Sequence, residues 1–218
     1  MLDNTVKNNQ ALIIGEIVSG FTFSHSVFGE DFYMMDVMVK RLSDSVDIIP
    51  IMISERLINI KEDYIGKHVQ IAGQFRSYNC YEKTKHRLKL SVFVREFSFE
   101  DNMVASDNNQ IYLDGYICKP PVYRKTPLGK EVADLLIAVN RPYGKSDYIP
   151  CICWGRNARF VSSFEVGNHI QIWGRIQSRE YTKRTDEKDF IKKVAYEISV
   201  RSLNEEADEA LKQLLAGN

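Results

Sequence analysis

Four aromatic residues and a set of cations in the second half of the chain have the types and spacing to hold a flexible polyanion without covalent chemistry. In the run Asp147 to Trp154, alternate residues face opposite ways, so Ile149, Cys151 and Cys153 share one face, and Tyr148, Pro150, Ile152 and Trp154 share the other. The first face is core material, and the second carries two rings. Tyr143 precedes this run and Tyr181 follows the next predicted strand, while Arg124, Lys125, Arg141, Lys145, Arg156, Arg175, Arg179 and Lys183 lie around them in sequence. Unstacked bases present π-faces to rings, and cations track phosphates without reading sequence. Stacking contributes roughly 1–3 kcal/mol per base, so four rings amount to about 4–12 kcal/mol gross before ordering costs. Aromatic residues also occur in strands simply because they pack well. Here, however, the rings and the excess of cations fall in the same half of the chain.

Other chemistries find less support. Gly144-Lys145-Ser146 resembles the end of a phosphate loop, but the earlier glycine of that loop would fall on Val139, inside a predicted strand. Cys151 and Cys153 point inward beside Ile149, which suits buried thiols rather than zinc ligands. Cys80 and Cys118 have no partner at metal spacing, and His25, His68, His86 and His169 are scattered. The carboxylates fall at strand ends or in loops such as Asp186-Glu187 and form no acidic cluster of the kind a metal nuclease uses. A noncatalytic protein with no cofactor and no metal is expected.

The elements that must position the rings read as short strands. Ile111–Ile117, Glu131–Arg141, Asp147–Trp154, Ile170–Arg179 and Val194–Leu203 are predicted strands, with Gly155–Val161 a short helix or turn and Thr126-Pro127-Leu128-Gly129 a turn. Five short antiparallel strands with one helical connection fit an OB-fold barrel, whereas a β-sandwich usually needs about seven. The first half repeats the plan in Ala11–Val18, Phe32–Arg41, Asp47–Ser54, His68–Tyr78 and Arg87–Phe97.

The repeat can be read directly. Adding 100 carries Asn8-Asn9-Gln10 onto Asn108-Asn109-Gln110, Gly15 onto Gly115, and Asp47 and Pro50 onto Asp147 and Pro150. After one added residue, Gly66–Ser77 pairs with Gly167–Ser178. A unit of about 100 residues is a complete small domain. The fold class is therefore all-β, two tandem OB-fold five-stranded barrels over residues 1–104 and 105–204. Residues 205–218 are read as a short amphipathic C-terminal helix or tail, with Ala207, Leu211, Leu214 and Leu215 at helical spacing.

The net charge of zero over 218 residues conceals an asymmetry. Residues 1–104 hold 12 Lys/Arg against 14 Asp/Glu, and residues 105–204 hold 16 against 11, so any polyanion is expected on the second half. No apolar run approaches the roughly 20 residues of a membrane span, and the first residues lack the pattern of a signal peptide. A cytoplasmic, nucleoid-associated protein with four reduced cysteines is expected.

At these same residues the chain resembles the bacterial single-stranded DNA-binding protein family. The resemblance is carried by Asn109–Gly115, Arg124–Lys130, Leu136–Arg141, Asp147–Arg156, Gly174–Arg179 and Tyr196-Glu197-Ile198, in order and at matching spacing over nearly all of residues 108–203. It implies a noncatalytic OB domain that binds single-stranded DNA in replication, recombination or repair, with Tyr143, Tyr148, Trp154 and Tyr181 in the family's four stacking places. It also implies an assembly of four OB domains, which a homodimer of two-domain chains would supply. Stacking does not select the sugar, so RNA fits the same physics.

The first half departs from this pattern, since Ile48 stands opposite Tyr148 and Ser54 opposite Trp154, which predicts a depleted stacking face. Phe23, Tyr78 and Tyr81 remain near the expected loops, with Lys40, Arg41, Arg76, Lys83 and Lys85, so this half is read as a weaker DNA contact or as the source of dimer and protein contacts. The alternative for the whole chain is an interaction scaffold of a replication restart or conjugation complex, with incidental DNA contact. Family members commonly end in an acidic tail tipped by phenylalanine that recruits replication and repair proteins. The residues from Glu209 to Asn218 contain no such tip, so recruitment through a tail is not expected.

Overall fold

A computed structural model describes residues 7–43, 45–82, 85–100, 108–184 and 190–203. The first half forms β1 (Asn9–Ile17), β2 (Thr22–Val27), β3 (Glu30–Lys40), β4 (Val46–Ser54), β5 (His68–Glu82) and β6 (Lys85–Phe99). The second half forms β7 (Asn109–Ile117), β8 (Val122–Lys125), β9 (Glu131–Asn140), β10 (Ser146–Trp154), a helix α1 (Arg156–Val161), β11 (His169–Arg184) and β12 (Phe190–Leu203). Strict alternation builds these strands. In β1 every second residue from Asn9 to Ile17 is buried, and Ile13 and Ile17 enter the core.

Each half closes into an OB barrel of five strands. In the first, β3, β4, β6, β5 and β1 follow one another, and a β1–β3 pairing at Glu16↔Met38 closes the ring. In the second, β9, β10, β12, β11 and β7 do the same, closed by β7–β9 at Tyr116↔Ala138. The closure explains one repeated glycine. A Cβ added at Gly15 would stand 2.4 Å from the Met38 carbonyl oxygen, and at Gly115 2.5 Å from that of Ala138, so no other residue fits the seam.

Three features differ from the reading of the sequence. The strands are not all antiparallel, because β4–β6 and β10–β12 pair parallel at Ile51↔Val92 and Cys151↔Ile198. Two further edge strands, β2 and β8, fold back on β3 and β9. The tight Phe28-Gly29 turn joins β2 to β3 with positive φ at both positions, which suits the twist of a two-residue hairpin. The helical connection is present only in the second barrel, where Ala158 and Val161 bury completely. Among the described residues, the corresponding 55–67 segment of the first barrel contains turns and no helix. The expected C-terminal helix, from Glu205 onward, lies outside the described residues.

The barrels are joined into one twelve-stranded sheet, because β1 pairs antiparallel with β7. The pairing places Ala11 opposite Ile111, its own counterpart in the repeat, and runs from Asn9↔Leu113 to Ile13↔Asn109. Two copies of one strand paired about a residue and its equivalent generate a local pseudo-twofold axis. Each β1-type strand thereby covers the edge of the other. Among the described residues, no helix is long and apolar enough to cross a membrane.

Candidate nucleic-acid interface

β10 sets the chemistry of the second barrel. Ile149, Cys151 and Cys153 are at most 2 % exposed, whereas Tyr148 and Trp154 on the opposite face are 45 % and 41 % exposed. Burial pushes the Cys153 thiol up to about 12 and raises Cys151 as well, which keeps both thiols protonated and poor as ligands. Among the described residues, no group of three or more His, Cys, Asp or Glu is arranged to hold a metal ion.

A groove of about 480 Å³ opens beside Trp154. Strand register assembles it. Val132 lies across from Trp154 on β9 and Arg124 across from Val132 on β8, while Ile152 sits beside Ser199 of β12 and Ser199 beside Arg175 of β11. Arg179 and Gln177 continue the β11 side, and Arg41 of the first barrel closes one end. Arg124 donates to both oxygens of Asp134 at 3.0 and 3.2 Å, and Arg179 stands 3.8 Å from Glu197. The Arg124–Asp134 pair is half-exposed on both sides and contributes little stability, about 0–1 kcal/mol, so this guanidinium can turn to a phosphate at small cost.

Arg141 and Arg175 are held differently. Asp147 is buried and accepts hydrogen bonds from Arg141 and from the backbone N–H of Ser77 in the first barrel. Arg141 also donates to the Ser77 carbonyl at 2.7 Å, and Ser77 Oγ accepts the Tyr148 N–H at 2.8 Å. The same device recurs across the pseudo-twofold axis. Asp47 accepts from Arg41 and from the Ser178 N–H, and Arg175 stands 3.2 Å from it. Burial and then the nearby Arg41 lower the Arg175 guanidinium from its ordinary value. These arginines fasten the barrels together along the floor of the interface. A second groove of about 710 Å³ continues from Arg175 past Arg41 to Lys40 and Arg201, so the cationic path crosses from one barrel to the other.

The remaining predicted residues fall on the rim. Tyr143 is fully exposed and adopts a left-handed conformation at φ 63°, ψ 33° in a 3-10 turn, Pro142–Gly144, between β9 and β10. Lys125 and Lys145 are exposed, and Arg156 is exposed at the start of α1. Tyr181 is a strand residue rather than a loop residue, because β11 runs on to Arg184, and its ring is 38 % exposed. The Lys183 side chain lies outside the described residues.

The first barrel has a different set of rings in the corresponding groove. Ser54 is buried and donates to Glu30, so nothing stacks from that position. Phe32 pairs with Ser54 in register, and its ring lies 5.7 Å from that of Phe93 on β6. His25 stacks on Phe32 at 5.2 Å with 13° between the planes. The guanidiniums of Arg76 and Arg95 lie 4.2 and 5.4 Å from the Phe93 centroid. Burial, then Arg95 and Arg141, pull Arg76 down to about 10. Reading by strand position alone missed these rings, although Phe32 standing opposite Val132 in the repeat was a visible signal.

Fold and groove together define a tandem OB-fold protein with a cation-lined, ring-bearing face on its second barrel. Residues 108–204 match the model of the Single-strand binding protein family. Over 96 residues it is 32% identical to a single-stranded DNA-binding protein of Halalkalibacterium halodurans, covering 41% of this chain and 57% of the relative. It is 33% identical over 96 residues to single-stranded DNA-binding protein A of Bacillus subtilis, covering 41% and 56%. The chain thus spans just over half the length of these curated relatives. A solved structure, the single-stranded DNA-binding protein of Thermus aquaticus, covers 90% of this chain and 91% of its own at a TM-score of 0.71 and 16% identity, a likeness of fold across both barrels.

Proposed function

We propose that this chain binds single-stranded DNA without sequence preference and without catalysis, as a cytoplasmic protein of replication, recombination or repair. The observation that carries this reading is the half-exposed Trp154 at the mouth of a groove whose other walls are Arg124, Arg179 and Arg41. Bases stack on the ring, and the guanidiniums follow the phosphates. The match of residues 108–204 to the family model and the names of the relatives that match them support the same reading. In this role Tyr148, Trp154, Tyr143 and Tyr181 are the stacking residues, and Arg124, Lys125, Lys145, Arg156, Arg179 and Lys183 supply charge. Arg141 and Arg175 position the groove through Asp147 and Asp47. Two chains associate to present four barrels, an arrangement that mass measurement in solution tests.

Titration with oligo-dT tests the binding. Trp154 fluorescence is quenched at low salt, duplex has little effect, and affinity falls with a slope near −0.7 per phosphate contacted. Tyr148→Ala and Trp154→Ala each cost about 1–3 kcal/mol of affinity while the melting temperature holds. Absence of both quenching and a gel shift at low salt overturns the proposal. A matched RNA strand that competes as well as DNA removes the preference for DNA and leaves the stacking mechanism.

A further inference from the structure

We propose that the first barrel carries a second base- and phosphate-binding groove, built from His25, Phe32, Phe93, Arg76 and Arg95, which receives the strand after it crosses between the barrels at Tyr148 and Tyr143. The proposal rests on the single-strand reading of the second barrel and extends it to a surface that has neither of the β10-type rings. Three observations carry it.

The first is position. Phe32 and Phe93 occupy the places taken in the second barrel by Val132 and Ser199, two walls of the groove beside Trp154. His25, which pairs with Phe32, occupies the place of Arg124, which pairs with Val132. Rings have thus been lost from β4 and gained on β3 and β6, so the groove has moved its stacking surface sideways rather than given it up.

The second is charge. Arg76 donates to the neutral Gln74 Oε1 at 3.2 and 2.6 Å, and the charges acting on it are Arg95, Arg141 and Asp147. Asp147 is already bonded to Arg141 and Ser77. A half-buried guanidinium repelled by two others is a place where an anion gains from both neighbours, and a phosphate has the matching geometry. At the other end, Glu30 is bonded to Ser54, and the Asp31 N–H to Glu55. Those carboxylates keep the phosphates to the Arg76 side and leave the His25 end to a base.

The third is continuity. Tyr143 rises from a hairpin whose base, Asn140 and Arg141, is bonded to Asn8 and Ser77 of the first barrel. Ser77 also holds the Tyr148 N–H, and it adjoins Arg76 in β5. A strand leaving Tyr148 therefore meets Arg76 next, and Phe93 and Phe32 beyond it. Bases stack on guanidinium planes as well as on rings, so the cation–π pair at Phe93 is itself a platform.

The test compares the wild-type full chain with a His25→Ala/Arg95→Ala variant on dT strands of about 8 and about 30 nucleotides, since one OB fold takes roughly 4–16. Both residues are exposed, and an unchanged melting temperature verifies the fold. The long strand binds the variant about tenfold more weakly, with a log–log salt slope shallower by about 0.7, while the short strand binds it as it binds wild type. Strands carrying 5-iododeoxyuridine crosslink on irradiation to His25 or Phe32, mapped by mass spectrometry. Wild-type affinity and slope on the long strand, with crosslinks confined to residues 108–203, overturn the second groove and leave the function of the second barrel intact. A wild-type chain that binds neither strand overturns the single-strand reading, and this groove falls with it.

Discussion

The buried carboxylate of Asp47 in the first barrel accepts the backbone N–H of Ser178 in the second at 2.7 Å. Asp147 accepts the N–H of Ser77 in return, so each barrel holds a strand of the other through an aspartate that its own arginine neutralises. Burying a charge is tolerable only when its lone pairs are filled, and here an ion pair and a backbone donor fill them.

Asp147→Ala leaves Arg141 and the Ser77 N–H without their acceptor at a buried junction. Removing one partner of a buried pair costs about 3–5 kcal/mol. Urea unfolding should show that loss in the midpoint. A variant within about 0.5 kcal/mol of wild type would mean that the barrels do not depend on this contact.

Tyr143 holds a left-handed backbone that costs a non-glycine residue about 1–2 kcal/mol, and its fully exposed ring has no packing to offset it. Tyr143→Asn puts there a residue that tolerates this conformation. The melting temperature should hold or rise while oligo-dT affinity falls by about 1–3 kcal/mol. A drop in stability with unchanged affinity would make the ring structural.

Cys153 ties stability to alkaline pH. Its folded thiol titrates near 12 against about 9 unfolded, so between those values the unfolded chain releases a proton that the native chain keeps. Stability is full below about pH 9 and declines above it, by up to about 1.4 kcal/mol per pH unit from this group. Denaturation followed from pH 8 to 11 should show a smaller decline in Cys153→Ala than in wild type. Equal slopes would refute the assignment.

Gly115→Ala drives a Cβ to 2.5 Å from the Ala138 oxygen and 2.8 Å from Ile137 Cγ2, where the barrel closes. Overpacking of this kind costs about 1–3 kcal/mol, and a backbone oxygen yields less readily than a side chain. Gly20→Ala, with nothing within 4 Å of the added atom, is the control and should melt within a degree or two of wild type.

Much of this was legible in the sequence because period-2 alternation and an ungapped repeat are local signals. The buried face of β10 and the exposure of Tyr148 and Trp154 followed from alternation alone. The roles of Arg141 and Arg175 did not, because what distinguishes an anchoring arginine from a ligand-facing one is a buried aspartate that can belong to the other barrel. The rings of the first groove escaped for a related reason. Comparing Ile48 with Tyr148 and Ser54 with Trp154 asks whether each position kept its ring, and cannot detect a ring that moved to the strands on either side. The parallel β4–β6 and β10–β12 contacts are likewise long-range pairings that no short window contains.

The pairing of Ala11 with Ile111 has a consequence for direction. Two identical subunits joined about such an axis present the same face whichever way a strand is laid, and a nucleic-acid strand has distinct 5′ and 3′ ends. With both copies in one polypeptide, the axis is only approximate: Trp154 stands on one side, and Phe32 with Phe93 on the other. On the proposed function, the fused pair can therefore seat a strand in one polarity in preference to the other, a choice that an exact dyad cannot make.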